Sequence, residues 1–124
     1  MTKNYPSMPP PTTLPILQKL VGVYKLWHNY FIRLDKSHKY TIGVDIDNLF
    51  REVIKRIISG SYKASEQKIY YLDQASNMFD ILKYMLQIAW EIKILDDKKY
   101  IALSKPLTEV GKMLGGWQRQ TKTR

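Results

Sequence analysis

Apolar residues recur at intervals of three and four along most of this chain, and this spacing limits the possible folds more than any other feature of the sequence. The pattern is longest between Ser65 and Leu95, where it predicts one helix with two offset apolar stripes. The first stripe contains Ile69, Leu72, Ala75, Phe79, Leu82, Leu86 and Ala89. The second contains Met78, Ile81, Met85, Ile88, Ile92 and Leu95. A helix that is apolar on two flanks buries more than one face, so one flank can fill a core while the other needs a neighbouring helix or another subunit.

Three shorter stretches with the same periodicity predict three more helices. They run from about residue 15 to 34, from about 41 to 59, and from about 100 or 105 to 118. No segment alternates at period two for long enough to predict a strand. Four helices joined by short polar turns predict an all-α fold, an antiparallel up-down-up-down four-helix bundle.

Local signals predict where these helices begin and end. Thr41 and Ser65 are the predicted N-caps of the second and third helices. Gly60 is predicted to end the second helix, because glycine adopts the left-handed backbone conformation easily. Pro106 is predicted to mark the start or a kink of the last helix, since proline is acceptable only in a first turn.

The 124 residues suit one domain with one core. Residues 1–13 contain four prolines and little apolar periodicity, which predicts a flexible Pro-rich arm. The bundle is predicted over residues 14–118, and residues 119–124 are predicted to form a basic tail that frays.

The charge balance is a second constraint, and it concerns the partners of the protein. Twenty Lys and Arg residues against eleven Asp and Glu residues give a formal charge of +9. Such an excess favours a polyanionic partner, either nucleic acid or an acidic protein or membrane surface. The alternative is that many of these lysines only solvate the helical surface.

Sequence motifs that carry chemistry are missing. The chain has no cysteine, and its two histidines, His28 and His38, lie ten residues apart without metal-ligand spacing. No phosphate-binding glycine loop occurs, and nothing in the sequence assembles Ser, His and Asp into a triad. We therefore predict no catalytic residue, no metal and no cofactor. Because no apolar run reaches the length of a membrane span and no signal-peptide pattern begins the chain, we expect a soluble, cytoplasmic protein.

The end of the chain is rich in glycine. Its helical stripe contains Leu103, Leu107, Val110, Leu114 and Trp117, with three glycines among them. Each glycine costs about 1 kcal/mol in a helix relative to alanine, so the segment predicts close packing against another backbone. Trp117 is then a predicted anchor in the core or in a subunit interface. The predicted core or oligomer motif comprises Gly111, Leu114, Gly115, Gly116 and Trp117.

Several cations are predicted to face outward. On the second helix, Arg51 and Lys55 share a face one turn apart, and Arg56 flanks them opposite the apolar stripe. On the third helix, Lys83 stands in an otherwise apolar half. Its ammonium group must either reach solvent along its own stem or meet a partner.

Three segments resemble a known family. Thr41-Ile42-Gly43 is similar to the Thr-Leu-Gly that often opens the family's second helix, and residues 82–87 are similar to its third-helix pattern of a leucine followed by a basic residue. Residues 109–117 resemble the family's ending, Glu-Val/Ile-Gly-Arg/Lys-x-Leu-Gly-Gly/Ser-Trp. The family is the accessory variability determinant (Avd-like) group of diversity-generating retroelements, which shares its fold with proteins encoded in bacterial ribosomal-RNA intervening sequences. The resemblance covers roughly residues 14–118.

The resemblance implies a four-helix bundle that assembles into a pentameric barrel. It also implies a non-enzymatic accessory protein that binds the element's reverse transcriptase and RNA or DNA through a basic surface, and that supports mutagenic cDNA synthesis. The family's important basic residue on the third helix corresponds to Lys83, and the second basic residue of some members corresponds to Gln87. The alternative is an intervening-sequence-type bundle with an unknown RNA- or protein-binding role. The candidate residues for binding the partner or nucleic acid are Lys83, Gln87, Arg51, Lys55, Arg56, Lys68, Lys112 and Arg119.

Overall fold

The structure is a computed structural model that describes residues 13–123. Four long helices account for most of these residues: α1 (Thr13–Phe31), α2 (Val44–Ser61), α3 (Ser65–Glu91) and α4 (Asp97–Lys122). Two short segments link α1 to α2, a helical turn at Lys36–His38 and a π-helical segment at Lys39–Gly43. Within residues 13–123 there is no strand, and the predicted all-α four-helix fold is confirmed. The predicted Pro-rich arm lies outside the described residues except for Thr13, which begins α1.

Contacts between α1 and α2 show that these helices run in opposite directions. The ring of Tyr24 packs against the ring of Phe50, with 5.7 Å between centroids. One turn further along α1, Trp27 Nε1 donates a hydrogen bond to Asp47 Oδ1 at 3.2 Å. The later residue of α1, Trp27, contacts the earlier residue of α2, Asp47. The two helices are therefore antiparallel.

Helices α3 and α4 are antiparallel for the same reason. Gln118 Nε2, near the end of α4, donates a hydrogen bond to Asp73 Oδ1, near the start of α3, at 2.8 Å. At the opposite end of the pair, Trp90 Nε1 donates to Asp97 Oδ1 at 2.7 Å. Helix α4 also packs against α1, and this contact closes the four helices around one core.

The predicted apolar stripes supply that core. Helix α3 buries its first stripe at Leu72, Ala75, Phe79, Leu82, Leu86 and Ala89. Helix α4 buries Leu103, Leu107, Val110, Leu114 and Trp117. Each fully buried large apolar side chain stabilises the fold by about 1.5–3 kcal/mol. One stripe from each helix is enough to close the bundle, as the 3.6-residue periodicity predicts.

The start of α2 differs from the prediction, because Thr41 is not its N-cap. Thr41 lies inside the π-helical segment with φ −116° and ψ −105°, and its hydroxyl donates back to the Ser37 carbonyl oxygen at 2.8 Å. This backward hydrogen bond competes with regular helix geometry. Two residues later, a Cβ at Gly43 would come within 3.2 Å of side-chain atoms of Leu34 and Phe31. The His38 carbonyl oxygen would lie closer still, at 3.0 Å, so the packing just before α2 suits a glycine at residue 43.

The ends of α2 and α3 also differ from the prediction. Gly60 does not end α2, since the helix continues to Ser61 and Gly60 instead permits close packing against α3, where an added Cβ would lie 3.1 Å from Tyr71 Cβ. Ser65 is the first residue of α3 and not its cap, because Ala64 occupies that position. Helix α3 ends at Glu91 and not at Leu95, and Lys93 then adopts a left-handed φ of 68° that turns the chain toward α4.

Helix α4 is longer at both ends than predicted. Asp96 caps its start, with Oδ1 accepting a hydrogen bond from the Lys99 backbone N–H at 2.8 Å. Pro106 therefore lies in the helix interior and does not mark the start. At the other end the helix continues to Lys122 in place of a frayed tail from residue 119. Buried Thr121 donates its hydroxyl to the Trp117 carbonyl oxygen at 2.9 Å, and this tertiary burial orders the last turn.

Candidate partner-binding site

A groove runs along the outer edge between α3 and α4. We call it the α3–α4 groove and define it by Phe79, Asp80, Lys83, Gln87, Thr108, Gly111, Lys112 and Gly115. The antiparallel pairing of the two helices brings the third-helix residues of the Avd-like pattern next to the glycines of the chain ending. Two segments that are far apart in sequence therefore meet in one surface.

Lys83 lies at the centre of this groove. Its side chain is 48% exposed, and its Nζ lies 5.2 Å from the centroid of the Phe79 ring. The aliphatic stem and the ammonium group thus rest on an apolar surface while the charge remains accessible. Its carboxylate neighbour is Asp80, whose Oδ1 lies 3.9 Å from Nζ. An exposed pair at that distance is weak, so the charge remains available to a partner.

The three glycines of the ending have different surroundings. A Cβ at Gly111 would lie 3.1 Å from the Phe79 ring, so this glycine admits a core aromatic side chain from α3. A Cβ at Gly115 would meet only the Arg119 guanidinium at 3.6 Å, and one at Gly116 only the same group at 3.8 Å. Both are ordinary contact distances. A side chain at residue 111 would therefore press on the Phe79 ring, whereas one at residue 115 or 116 would make only ordinary contacts.

Leu114 and Trp117 point into the bundle. Leu114 is 1% exposed and Trp117 is 5% exposed, and both belong to the core. Lys68, from the first turn of α3, holds its Nζ 5.8 Å from the centroid of the Trp117 ring. Arg119 is exposed and lines a cleft with Trp117 where the end of α4 meets the start of α1. Lys68 and Arg119 thus lie at one end of the bundle, beside Trp117.

The three cations of α2 lie elsewhere and pair with carboxylates of their own helix. Arg51 Nε lies 3.3 Å from Asp47 Oδ2. Glu52 accepts from Arg56 Nη1 at 2.6 Å and from Lys55 Nζ at 3.2 Å. These two hydrogen bonds hold the pKa of Glu52 below its ordinary value. The surface expected to attract anions on α2 is therefore largely neutralised.

Asp47 has a larger role than its place in the first turn of α2 indicates. It is buried and joins Trp27 of α1 to Arg51 of its own helix. Burial raises the pKa of the Tyr24 phenol, and the Asp47 carboxylate adds to that rise. The hydrogen bond from Trp27 to Asp47 thus joins α1 to α2.

The remaining predicted residues belong to the groove. Gln87 Nε2 donates to Glu91 Oε2 at 3.3 Å on an exposed surface, and Lys112 Nζ lies 3.6 Å from Glu109 Oε2. Thr108 also lines the groove and donates its hydroxyl to the Ser104 carbonyl oxygen at 3.0 Å. Sequence reasoning missed Thr108, although its position one turn before Lys112 indicates the same face of α4.

The second apolar stripe of α3 is only partly covered. Met78 and Met85 are half-buried and pack against the core, whereas Ile81, Ile88 and Ile92 are 52%, 41% and 54% exposed. Ile81 and Ile88 share one face of α3, and Ile92 follows directly after the last residue of the helix on the same side. We call these three residues the isoleucine flank.

Metal-ligand clusters and membrane spans are both lacking in the part of the chain that the structure describes. Within residues 13–123 no group of His, Asp and Glu side chains is arranged to hold a metal ion. None of the described helices combines the length and the apolar character needed to cross a membrane.

Comparison with known proteins decides the family. The profile of the family described as bAvd-like matches residues 14–121. The chain belongs to the bAvd-like family. The matched region includes all three segments that carry the resemblance, and it extends through the last turn of α4. No curated protein and no solved structure matches this bAvd-like chain significantly.

Proposed function

We propose that this chain is a non-catalytic accessory protein of a diversity-generating retroelement, which binds the element's reverse transcriptase and nucleic acid and supports mutagenic cDNA synthesis. The observation that carries the proposal is the α3–α4 groove. Lys83, the basic residue that the Avd-like pattern implies, lies there together with Lys112 and Gly111 of the chain ending. Membership of the bAvd-like family supports the same function.

The groove suits an acidic protein surface. Lys83 and Lys112 offer two cations whose ion-pair partners are exposed carboxylates on the same helix. Such pairs contribute little in water and are replaced easily by a partner's carboxylates. Gly115 lines the same groove and has no side chain of its own to obstruct a partner. We place the reverse transcriptase in this groove.

The isoleucine flank supports self-assembly. Its three isoleucines, on α3 and at its end, are exposed to water. Burying them between subunits would stabilise an oligomer by about 25 cal/mol for each Å² of apolar surface removed. The family resemblance favours a pentamer. Light scattering coupled to size exclusion should give a mass that is a multiple of the 14.6 kDa chain. Replacement of Ile81, Ile88 and Ile92 by Ser should shift it to the monomer, whereas a monomeric wild type at micromolar concentration would exclude this assembly.

Binding to the reverse transcriptase encoded beside this chain tests the main proposal. Lys83→Glu should weaken co-purification of the two proteins while circular dichroism remains that of wild type, since the ammonium group lies outside the core. Lys36→Glu is the matched control, because Lys36 is exposed and lies outside the groove on the α1–α2 link.

Two outcomes contradict this assignment in different ways. If Lys83→Glu unfolds the protein, Lys83 is structural and the groove loses its assigned role. If the folded wild type captures neither the reverse transcriptase nor nucleic acid at low salt, the retroelement function fails. An intervening-sequence-type role then replaces it.

A further inference from the structure

The formal charge is distributed unevenly along the chain. All eleven Asp and Glu residues lie between Asp35 and Glu109, where twelve Lys and Arg residues leave a net charge of only +1. Residues 1–34 and 110–124 contain eight Lys and Arg residues and no Asp or Glu. Almost the whole excess charge of the protein therefore belongs to its two terminal segments.

The fold brings these two segments together. Helix α1 packs against α4, and Pro15 and Ile16 line the same cleft as Gly116, Trp117 and Gln120. We call the surface formed by residues 15–34 and 110–123 the α1–α4 face. Two acid-free segments at opposite ends of the sequence thus pack against each other, and they meet where α1 begins and α4 ends.

The cations of the α1–α4 face are exposed and largely uncompensated. Four of them form no ion pair with a carboxylate in the part of the chain that the structure describes; these are Lys19, Lys25, Arg33 and Arg119. The other two, Lys112 and Lys122, pair with Glu109 and Asp73 at 3.6 and 3.7 Å. This contrasts with α2, where Arg51, Lys55 and Arg56 are all paired.

The same face lacks large exposed aromatic rings. Its aromatic residues are buried or half-buried: Tyr24, Trp27, Tyr30, Phe31 and Trp117. The exposed tyrosines lie outside it, at Tyr40, Tyr62, Tyr70 and Tyr84. Proteins that hold single strands combine cations with aromatic rings on which bases stack, whereas a duplex with stacked bases offers mainly its phosphates to cations.

We propose that the α1–α4 face is the nucleic-acid surface of this protein and that it binds the phosphate backbone of a double helix. This inference deepens the proposed function and rests on it. It assigns nucleic acid to a face that shares only Lys112, Gly111 and Gly115 with the α3–α4 groove. Duplex and reverse transcriptase can therefore bind on adjoining sides of α4.

Paired charge-neutralising variants test the assignment. The face variant combines Lys19→Gln, Lys25→Gln and Arg119→Gln, and the control combines Lys36→Gln, Lys63→Gln and Lys98→Gln, three exposed lysines outside the face. Both variants have the same formal charge, so a difference between them reports position and not net charge. Fluorescence anisotropy would measure binding to RNA duplex, DNA duplex and single strands of equal length across a salt series, with circular dichroism and light scattering as folding controls.

The expected result is a weaker affinity for duplex in the face variant alone. Its slope of log affinity against log salt should fall by about 0.9 for each phosphate of B-form DNA that the variant no longer neutralises, and its affinity at low salt should fall by more than about tenfold. The affinity of the control variant for duplex should change by no more than a few fold. Comparison of RNA duplex with DNA duplex then identifies which helix is preferred.

Other outcomes overturn the inference separately from the proposed function. If both variants bind duplex equally weakly, or if only the control binds more weakly than wild type, nucleic acid binds elsewhere on the protein. The proposed accessory role is not affected by either result. Preferential binding of single strands by wild type would exclude the duplex class. Binding of vesicles with anionic lipid but of no duplex would make the face a membrane surface. Absence of any nucleic-acid binding at low salt would overturn both the inference and the nucleic-acid part of the proposed function.

Discussion

The two flanks of α3 contain the same kinds of apolar residue, but one flank is buried and the other is partly exposed. Leu82 and Leu86 on the first flank are buried in the core of the bundle, where α3 packs against α2 and α4. Ile81 and Ile88 on the second flank are about half exposed, although their sequence periodicity is equally regular. Periodicity thus identifies which residues share a face of a helix, but the number of neighbouring helices decides which face is covered.

The glycines of α4 repeat this contrast on a smaller scale. Gly111 faces the covered side and admits the Phe79 ring, whereas Gly115 faces the open side of the groove. The covered side of both helices therefore stabilises the chain itself. The open side is available to a second molecule, and substitutions on the two sides are expected to differ in what they change.

The largest effect is expected at Trp117, on the covered side. Trp117→Ala should reduce the free energy of unfolding by about 3–5 kcal/mol, because it removes a large buried ring and leaves a cavity. Chemical denaturation followed by circular dichroism measures the reduction. A melting temperature and an assembly state equal to those of wild type would show that the ring does not support the core.

Adjacent residues of α3 provide the next test, since Leu82 is buried and Ile81 is half exposed. Leu82→Ala should cost about 2–5 kcal/mol in the free energy of unfolding. Ile81→Ala should change the unfolding of the monomer by less than about 0.5 kcal/mol and should act on assembly. Measurement of both at concentrations where wild type is monomeric separates the two contributions. Equal destabilisation at the two positions would remove the distinction between the flanks.

The glycine pair tests the contrast within α4. Gly115→Ala should stabilise the isolated chain by up to about 1 kcal/mol, because alanine favours the helix and the added methyl group meets only ordinary contacts. Gly111→Ala should stabilise less or should destabilise, since its Cβ would press on the Phe79 ring at 3.1 Å. Thermal unfolding of the two variants shows which of them is the more stable. If Gly115→Ala is the less stable one, Gly115 is needed within the chain after all.

The smallest effect concerns the paired surface of α2. The pKa of Glu52 is lowered by hydrogen bonds from Arg56 and then Lys55, so its ionised form is favoured in the folded chain. The resulting stabilisation is present at neutral pH and is lost as the pH falls through the lowered pKa. Glu52→Gln should therefore flatten the acid limb of the curve of stability against pH, with little change in partner binding. An unaltered acid limb would show that these pairs contribute nothing.

Much of the fold was predictable from particular residues. The buried stripe from Leu72 to Ala89 and the stripe from Leu103 to Trp117 follow directly from their spacing. The errors occurred at Thr41 and Gly60, where a local propensity predicted a helix boundary, and at Pro106 as a possible helix start, while the alternative of a kink at Pro106 stays a prediction. At Gly60, close approach of α3 replaces the expected turn, and at Pro106, burial of Leu103 and Leu107 on either side holds the helix together.

The candidate site was predictable in part. The segment containing Lys83 and the ending from Gly111 to Trp117 are recognisable as separate patterns, and their meeting in one groove required the antiparallel pairing of α3 and α4. The i,i+4 spacing of Asp47 and Arg51 indicates their ion pair from the sequence alone. The burial of Asp47 and its hydrogen bond from Trp27 were not predictable, because they depend on the packing of α1 against α2.

The sequence by itself determined the class of fold, the residues that share each helical face and the total charge, because these depend on residue type and on a fixed helical period. Only the tertiary structure decided which flank of α3 is covered, which glycine of α4 packs against the Phe79 ring and which cations remain unpaired among the described residues. These properties depend on distances between helices that the chain brings together from distant positions. The meeting of α1 with the end of α4 is the clearest case, since it joins two acid-free segments into one face.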